Sequence, residues 1–236
     1  MEWRDEGVLL SARPHGESAV IAEVFTAAHG RHAGVVRGGA SRRQAAHLQA
    51  GTQVAVTWRA RLDDQLGSLT LEPLRARAGV LADAGRLAAL TSACALLRLA
   101  LPERDPHGSL WRATVDLFDA LEVGVGPWAG YYIRWELGLL DDMGFGLDLG
   151  RCAVTGTTDG LAYVSPRTGR AVSRAGAGDW ADRLLPLPDA LRGGEAGMVQ
   201  GLAVTGHFLT RALSRPTEGP GLPEARVRLA AHLARG

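Results

Sequence analysis

Residues Ser18–Arg43, SAVIAEVFTAAHGRHAGVVRGGASRR, carry the reading of the fold. Val20, Ala22 and Val24 alternate with Ile21, Glu23 and Phe25, the period-two pattern of a strand over Ser18–Thr26. His29-Gly30 is turn chemistry. A further strand is expected over Ala33–Arg37, and it runs into a basic, glycine-rich loop that ends at Arg43. The same stretch opens a run, Val24–Leu62, with no aspartate or glutamate and six arginines: Arg31, Arg37, Arg42, Arg43, Arg59 and Arg61. The whole chain has a formal net charge of only +1, so an acid-free run of this length asks for a reason. A polyanion approaching this surface supplies one, since nearby carboxylates would repel it. A solvated β-surface in an arginine-rich chain has the same composition, and composition alone leaves both readings standing.

Working outward, Val8, Leu10 and Ala12 alternate with Leu9, Ser11 and Arg13 before the turn Arg13-Pro14-His15-Gly16. Beyond the loop, Val54, Val56, Trp58 and Ala60 take one face of a strand, leaving Gln53, Thr57, Arg59 and Arg61 on the other. Asp63-Asp64-Gln65 turns the chain into a strand with Leu69 and Leu71, and Pro73 ends the run. Five short strands at this spacing predict a small closed barrel, the five-stranded OB-fold, over residues 1–79. Arg59 and Arg61 then share an exposed face near the loop bearing Arg37, Arg42 and Arg43, with Arg31 at one end. That is the track a single strand of DNA needs. Trp3 and Phe25 are candidate stacking rings, Phe25 being the one expected to pack inside.

From Val80 the period becomes helical: Leu87, Leu90, Cys94, Leu97 and Leu101 step by three and four until Pro102. A second helix opens at Asp105-Pro106. A third starts near Pro127 and is apolar most of the way round, which predicts burial. Glycines and turn dipeptides interrupt the helices at about 145–178, where Leu161–Val164 and Arg170–Ser173 predict a hairpin. Helices are expected again at Asp179–Arg192, Gly197–Leu213 and Pro223–Ala234. The class is therefore α+β, with a barrel over 1–79 and a helical domain with an insert over 80–236.

The composition excludes several chemistries. All 26 basic residues are arginine. Without lysine there is no phosphate loop of the Walker type and no Schiff-base catalysis. Arginine suits bidentate pairing with phosphate instead. Cys94 and Cys152 stand far apart and form no C-x-x-C pair. No apolar run reaches membrane-spanning length and the start, MEWRDEGVLL, is not signal-like, so a cytoplasmic protein is expected. A metal site from His29, His32, His15 and His47 lacks a converging carboxylate. Ser18 has no nucleophile elbow around it, and Asp141-Asp142 reads as solvated or arginine-paired. No enzymatic activity and no cofactor are expected.

At this point particular words resemble a known family. Glu6-Gly7-Val8-Leu9-Leu10, Gly16-Glu17-Ser18, His29-Gly30-Arg31, the loop Arg37–Arg43, and Glu136-Leu137 through Gly144-Phe145 resemble the bacterial recombination mediator family RecO in order and spacing. The resemblance implies binding of single- and double-stranded DNA, annealing of complementary strands, and cooperation with RecR. It also implies contact with the acidic C-terminal tail of single-strand-binding protein (SSB), loading of RecA, and a nucleoid-associated place in the cytoplasm. Arg98, Arg112, Arg134 and Arg183 are candidates for the acidic tail. An adaptor acting mainly through protein contacts, with weak DNA binding, is the alternative. Many RecO proteins hold zinc in the insert with two C-x-x-C pairs. Here the four positions read Cys152, Thr155, Ser173 and Gly176, so a metal-free, zinc-ribbon-like hairpin is expected.

Overall fold

The computed structural model describes residues 1–45, 47–62, 65–124, 126–214 and 221–235. Strands β1 (Glu2–His15), β2 (Ala19–Thr26), β3 (Gly30–Val36), β4 (Gln53–Arg59) and β5 (Ser68–Arg75) close into a barrel in the order β1-β2-β3-β5-β4. Neighbours are antiparallel except β3 and β5, which meet in parallel at Val35 and Ser68. A one-turn helix, α1 (Arg42–Ala45), stands between β3 and β4. Of the expected Asp63-Asp64-Gln65 turn, the two aspartates lie outside the described residues.

The interior holds Leu9, Val20, Ala22, Val24, Val36, Val54, Val56, Trp58 and Leu69. Each buried valine or leucine among them contributes roughly 1.5–3 kcal/mol by leaving water. Trp58 points inward as the alternation requires, and its indole N–H donates to the Leu66 carbonyl at 3.1 Å. On β1 and β2 the two-face pattern fails. Residues 7–10 and 20–26 are buried on both faces, Phe25 completely. Their outer side is covered by α2 (Ala84–Ala100) and α3 (Gly108–Val123). Gly30 marks how close this packing is: its φ is +64° and a Cβ there would meet the Asp105 carbonyl oxygen at 2.0 Å.

The chain forms two compact units, Met1–Gly124 and Val125–Gly236. Strand gives way to helix near residue 79, but the first unit keeps α2 and α3 because ion pairs and apolar contacts bind them to the barrel. Glu23 on β2 accepts from Arg98 of α2 at 2.7 and 3.1 Å, and buried Arg77 pairs with Asp119 of α3.

In the second unit α4 (Trp128–Asp142) packs on α6 (Met198–Leu213), and α7 (Glu224–Leu233) packs on α6. Glu136 of α4 and Arg226 of α7 form an ion pair with both side chains at most 1% exposed. Arg226 also donates to the Leu202 carbonyl at 2.8 Å, and Thr205 donates to the Glu136 carboxylate. The insert contains the hairpin of β6 (Leu161–Val164) and β7 (Ala171–Ser173) and a four-residue helix α5 (Arg174–Ala177), and a two-residue strand β8 (Leu185–Pro186) that follows it pairs beside β6. The helix expected over Asp179–Arg192 is not formed. Two 3-10 turns, Gly178–Arg183 and Asp189–Arg192, flank β8 instead. Pro186 and Pro188 donate no backbone hydrogen bond and clash with a preceding helical turn. Among the described residues no helix is long and apolar enough to cross a membrane.

Candidate nucleic-acid interface

The register of β3, β5 and β4 builds one outward face. Val35 pairs with Ser68, and Ser68 with Arg59, so a line across three strands joins β3 to Arg59. Two strand spacings separate its ends, about 10 Å. Thr57 pairs with Thr70 in the next outward row, and Arg37 follows Val35 by one pleat repeat. Ser68, Thr70 and Thr57 are small, so the middle of the face is low. A cleft of about 270 Å³ opens there, and Arg37, Gln44, Ser68 and Thr70 are among its lining residues. Gln44 reaches it from α1, which the basic loop positions: Ala40 N–H donates to Ser18 at 3.2 Å and Ala45 N–H to Ser41 at 2.9 Å.

The six sequence-predicted arginines do not form one set. Arg37 is exposed and lines the cleft, Arg42 is exposed at the start of α1, two residues before Gln44, and Arg61 is exposed just past β4. The side chain of Arg43 lies outside the described residues. Arg59 is 60% exposed and on the predicted face, yet its guanidinium is paired with Glu2 at 2.9 Å. That contact holds the Glu2 carboxyl below the ordinary glutamate range, the hydrogen bond from Arg59 being the main cause. Arg31 departs from the expectation of a phosphate contact. It donates to Glu23 at 3.0 Å, to the Leu101 carbonyl at 3.0 Å and to Glu103 at 3.4 Å, with 16% of its side chain exposed. Its place in the acid-free run suggested a phosphate contact; the α2–α3 connection covers that part of β3 and takes the charge. β3 also separates the two ends of the opening stretch, because seven residues span about 23 Å. His29 and Arg31 stand at one end, Arg37–Arg43 at the other.

The acid-free run is not acid-free in space. β1 and β5 flank β4, and their pairing sets Glu2 opposite Arg59, Glu6 opposite Ala55 and Glu72 opposite Ala55 from the other side. The same pairing brings in a residue the sequence reading missed. Arg4 faces Thr57, is 76% exposed, and has Glu2 at 3.7 Å. Its signal was in the sequence, two residues from Glu2, but only the β1–β4 register puts it on this face.

Two candidate stacking rings are covered. Phe25 is wholly buried, and Trp3 has His29 stacked at 4.0 Å and Trp58 near-parallel at 5.9 Å. His29 and His32 do not act as a ligand pair: His29 Nδ1 lies 3.0 Å from Asp5, while His32 is buried edge-on between Trp3 and Trp58.

Residues 1–77 match the family model "Recombination protein O N terminal" and residues 81–218 match "Recombination protein O C terminal". The chain is 62% identical over 240 residues to the DNA repair protein RecO of Cereibacter sphaeroides strain ATCC 17025, covering 100% of both chains. It is 54% identical over 239 residues to that of Dinoroseobacter shibae, covering 100% of this chain and 99% of the relative. The chain belongs to the RecO family. Membership supports a role in DNA repair and recombination.

For a RecO chain the insert raises the question of zinc. The four degenerate positions do converge, around sulfur. Cys152 Sγ accepts from Ser173 N–H at 3.2 Å, Ser173 Oγ–H at 3.3 Å and Thr155 N–H at 3.4 Å. The second turn repeats the first, with Gly176 N–H donating to Ser173 Oγ at 3.1 Å. A Cβ at Gly176 would stand 3.0 Å from the sulfur. Burial raises the Cys152 pKa, and the Ser173 and Thr155 hydrogen bonds outweigh it, to about 6. These residues do not fit zinc. They offer one thiol, and the 3.3 Å between sulfur and hydroxyl is less than the ~3.8 Å edge of a tetrahedron with 2.3 Å zinc–sulfur bonds. Among the described residues no group of three or more His, Cys, Asp or Glu converges on a metal position.

Proposed function

We propose that this RecO chain is a non-enzymatic DNA-binding recombination mediator whose barrel holds phosphates along the β3–β5–β4 face. The observation that carries the reading is the low hydroxyl-lined surface between exposed Arg37 and Arg42 on one side and Arg59 and Arg4 on the other. Arg61 and Arg43 extend the set, and Arg31 serves instead to hold β3 to the α2–α3 connection. Guanidinium groups spaced along a groove neutralise phosphate without reading sequence. Neutralising two strands lowers their repulsion, and base pairing then selects the complement, which is annealing. Arg59 must exchange Glu2 for a phosphate, so its contribution is smaller than that of Arg37 or Arg42.

Family membership supports cooperation with RecR, contact with the SSB tail, and RecA loading on SSB-coated single strands. In the second unit, Arg134 lies over the Tyr131 ring at 4.8 Å beside a cleft with Gly130 and Met198. A cation over an aromatic ring suits an acidic peptide, although Glu195 also lines the cleft and opposes one, so the adaptor reading stands second. The test is annealing and oligonucleotide binding by the full chain across a salt series. Affinity falling steeply with salt is expected; salt-insensitive or absent binding favours the adaptor.

A further inference from the structure

Three near-parallel rings rise through one end of the barrel. Trp58 is wholly buried at the base, Trp3 lies 5.9 Å from it at 18°, and His29 lies 4.0 Å from Trp3 at 8°. His32 braces the column edge-on, 5.0 Å from Trp3 and 4.9 Å from Trp58. The β1–β4 register makes the first contact by pairing Trp3 with Trp58, and the β2–β3 turn makes the second. His29 is fixed in its plane as well. Its Nδ1 is 3.0 Å from Asp5, whose carboxylate also accepts from Ala28 N–H at 3.0 Å. The imidazole is therefore held by one edge and one face, while 32% of the side chain remains exposed. Three arginines lie along the strands at this end, interleaved with the carboxylates of Glu2 and Asp5. Arg4 follows Trp3 on β1, Arg59 pairs across from Glu2, and Arg61 is two residues beyond.

We infer that the open face of His29 is a stacking platform for one nucleobase of a single strand, with the adjoining phosphates on Arg4, Arg59 and Arg61. The inference rests on the DNA-binding reading above and names the ring that reading lacked. Every base has a π-face, so stacking is sequence-tolerant. A ring already ordered by Trp3 and Asp5 loses little freedom on binding. Trp3, covered on both sides, does not meet the base; it orients the ring that does.

The test uses the full chain with a labelled oligothymidylate and an abasic strand of the same length, read by fluorescence anisotropy. His29→Ala is expected to weaken oligothymidylate binding roughly fivefold or more and leave abasic binding unchanged. His29→Phe, aromatic but unable to bond Asp5, is expected to retain wild-type affinity, and His29→Leu to behave like His29→Ala. Equal affinity of wild type and His29→Leu for oligothymidylate, or equal loss on both strands, overturns stacking. Should His29→Ala unfold, the Phe-against-Leu comparison carries the same decision. Absence of binding by the wild type to either strand overturns the DNA-binding reading and the inference together.

Discussion

At the residue scale, Glu23 does most to explain why the barrel and its helices are one unit. As a charged residue alternating with Val24 on β2, it is expected to face solvent. Instead it is 9% exposed and accepts from Ser11, Arg31 and Arg98. Burial pushes its carboxyl up, but the hydrogen bonds and charges of Arg98, then Ser11 and Arg31, bring it below the ordinary glutamate value. A carboxylate with a depressed folded pKa stabilises fully above its unfolded pKa, about 4.3, and that contribution is lost as pH falls through the folded value. Glu23→Gln is therefore expected to lower the urea midpoint at pH 7 and to flatten its decline at acid pH. Loss of the wild-type midpoint below pH 4 with no difference between the two proteins at pH 7 would contradict the network. The arginine reading is also decided residue by residue. Replacing Arg37 and Arg42 together by Glu is expected to weaken single-strand binding at least tenfold with the fold intact by circular dichroism. The same change at Arg31 is expected to lower stability first, because its partners are Glu23, Glu103 and a carbonyl.

At the element scale, the insert and the last helix hold on by different means. The two turns of the insert meet at Cys152 Sγ through hydrogen bonds, so the purified chain is expected to contain no stoichiometric zinc and to keep its melting temperature in chelator. Elemental analysis finding one zinc per chain would overturn this. Thr155→Cys, Ser173→Cys and Gly176→Cys combined are expected to introduce zinc binding, read as a chelator-dependent melting temperature. α7 depends on the Glu136–Arg226 pair. Removing one partner of a buried pair leaves an uncompensated charge, worth about 3–5 kcal/mol. Arg226→Ala should shift chemical denaturation of the full chain by that amount, whereas the surface pair Arg228–Glu224 should be worth about 0.3–0.5 kcal/mol.

At the scale of the whole molecule, a net charge of +1 says little about DNA, because the charges are sorted by surface. If four arginines meet phosphates, log affinity falls with log salt at a slope of about −2.8, roughly 50-fold between 50 and 200 mM. Removing Arg4 should reduce that slope by about 0.7, which a salt titration of Arg4→Ala measures.

Much of this was legible in order along the chain. Period-two runs at 18–26 and 53–60 marked the barrel strands, steps of three and four marked α2, and an apolar surface most of the way round marked α4, because side-chain spacing is a local property of strand and helix. The absence of lysine and the loss of three of four cysteine positions were likewise plain in the residues. Other features required the fold. Strand pairing brought Glu2, Arg4 and Glu6 from the start of β1 onto the face of β4. Helix packing turned the outward residues of β2 into a second buried layer and made Arg31 a structural cation. The opening stretch, continuous in sequence, is divided by the length of β3 into two ends of the barrel. Sequence by itself determined the barrel strands and the long helices, since local periodicity and turn chemistry suffice there, but not residues 179–192, where two prolines replaced the expected helix with 3-10 turns around β8. Which arginines face solvent, which pair with carboxylates and which ring ends a stack were decided by register and packing between residues far apart in the chain.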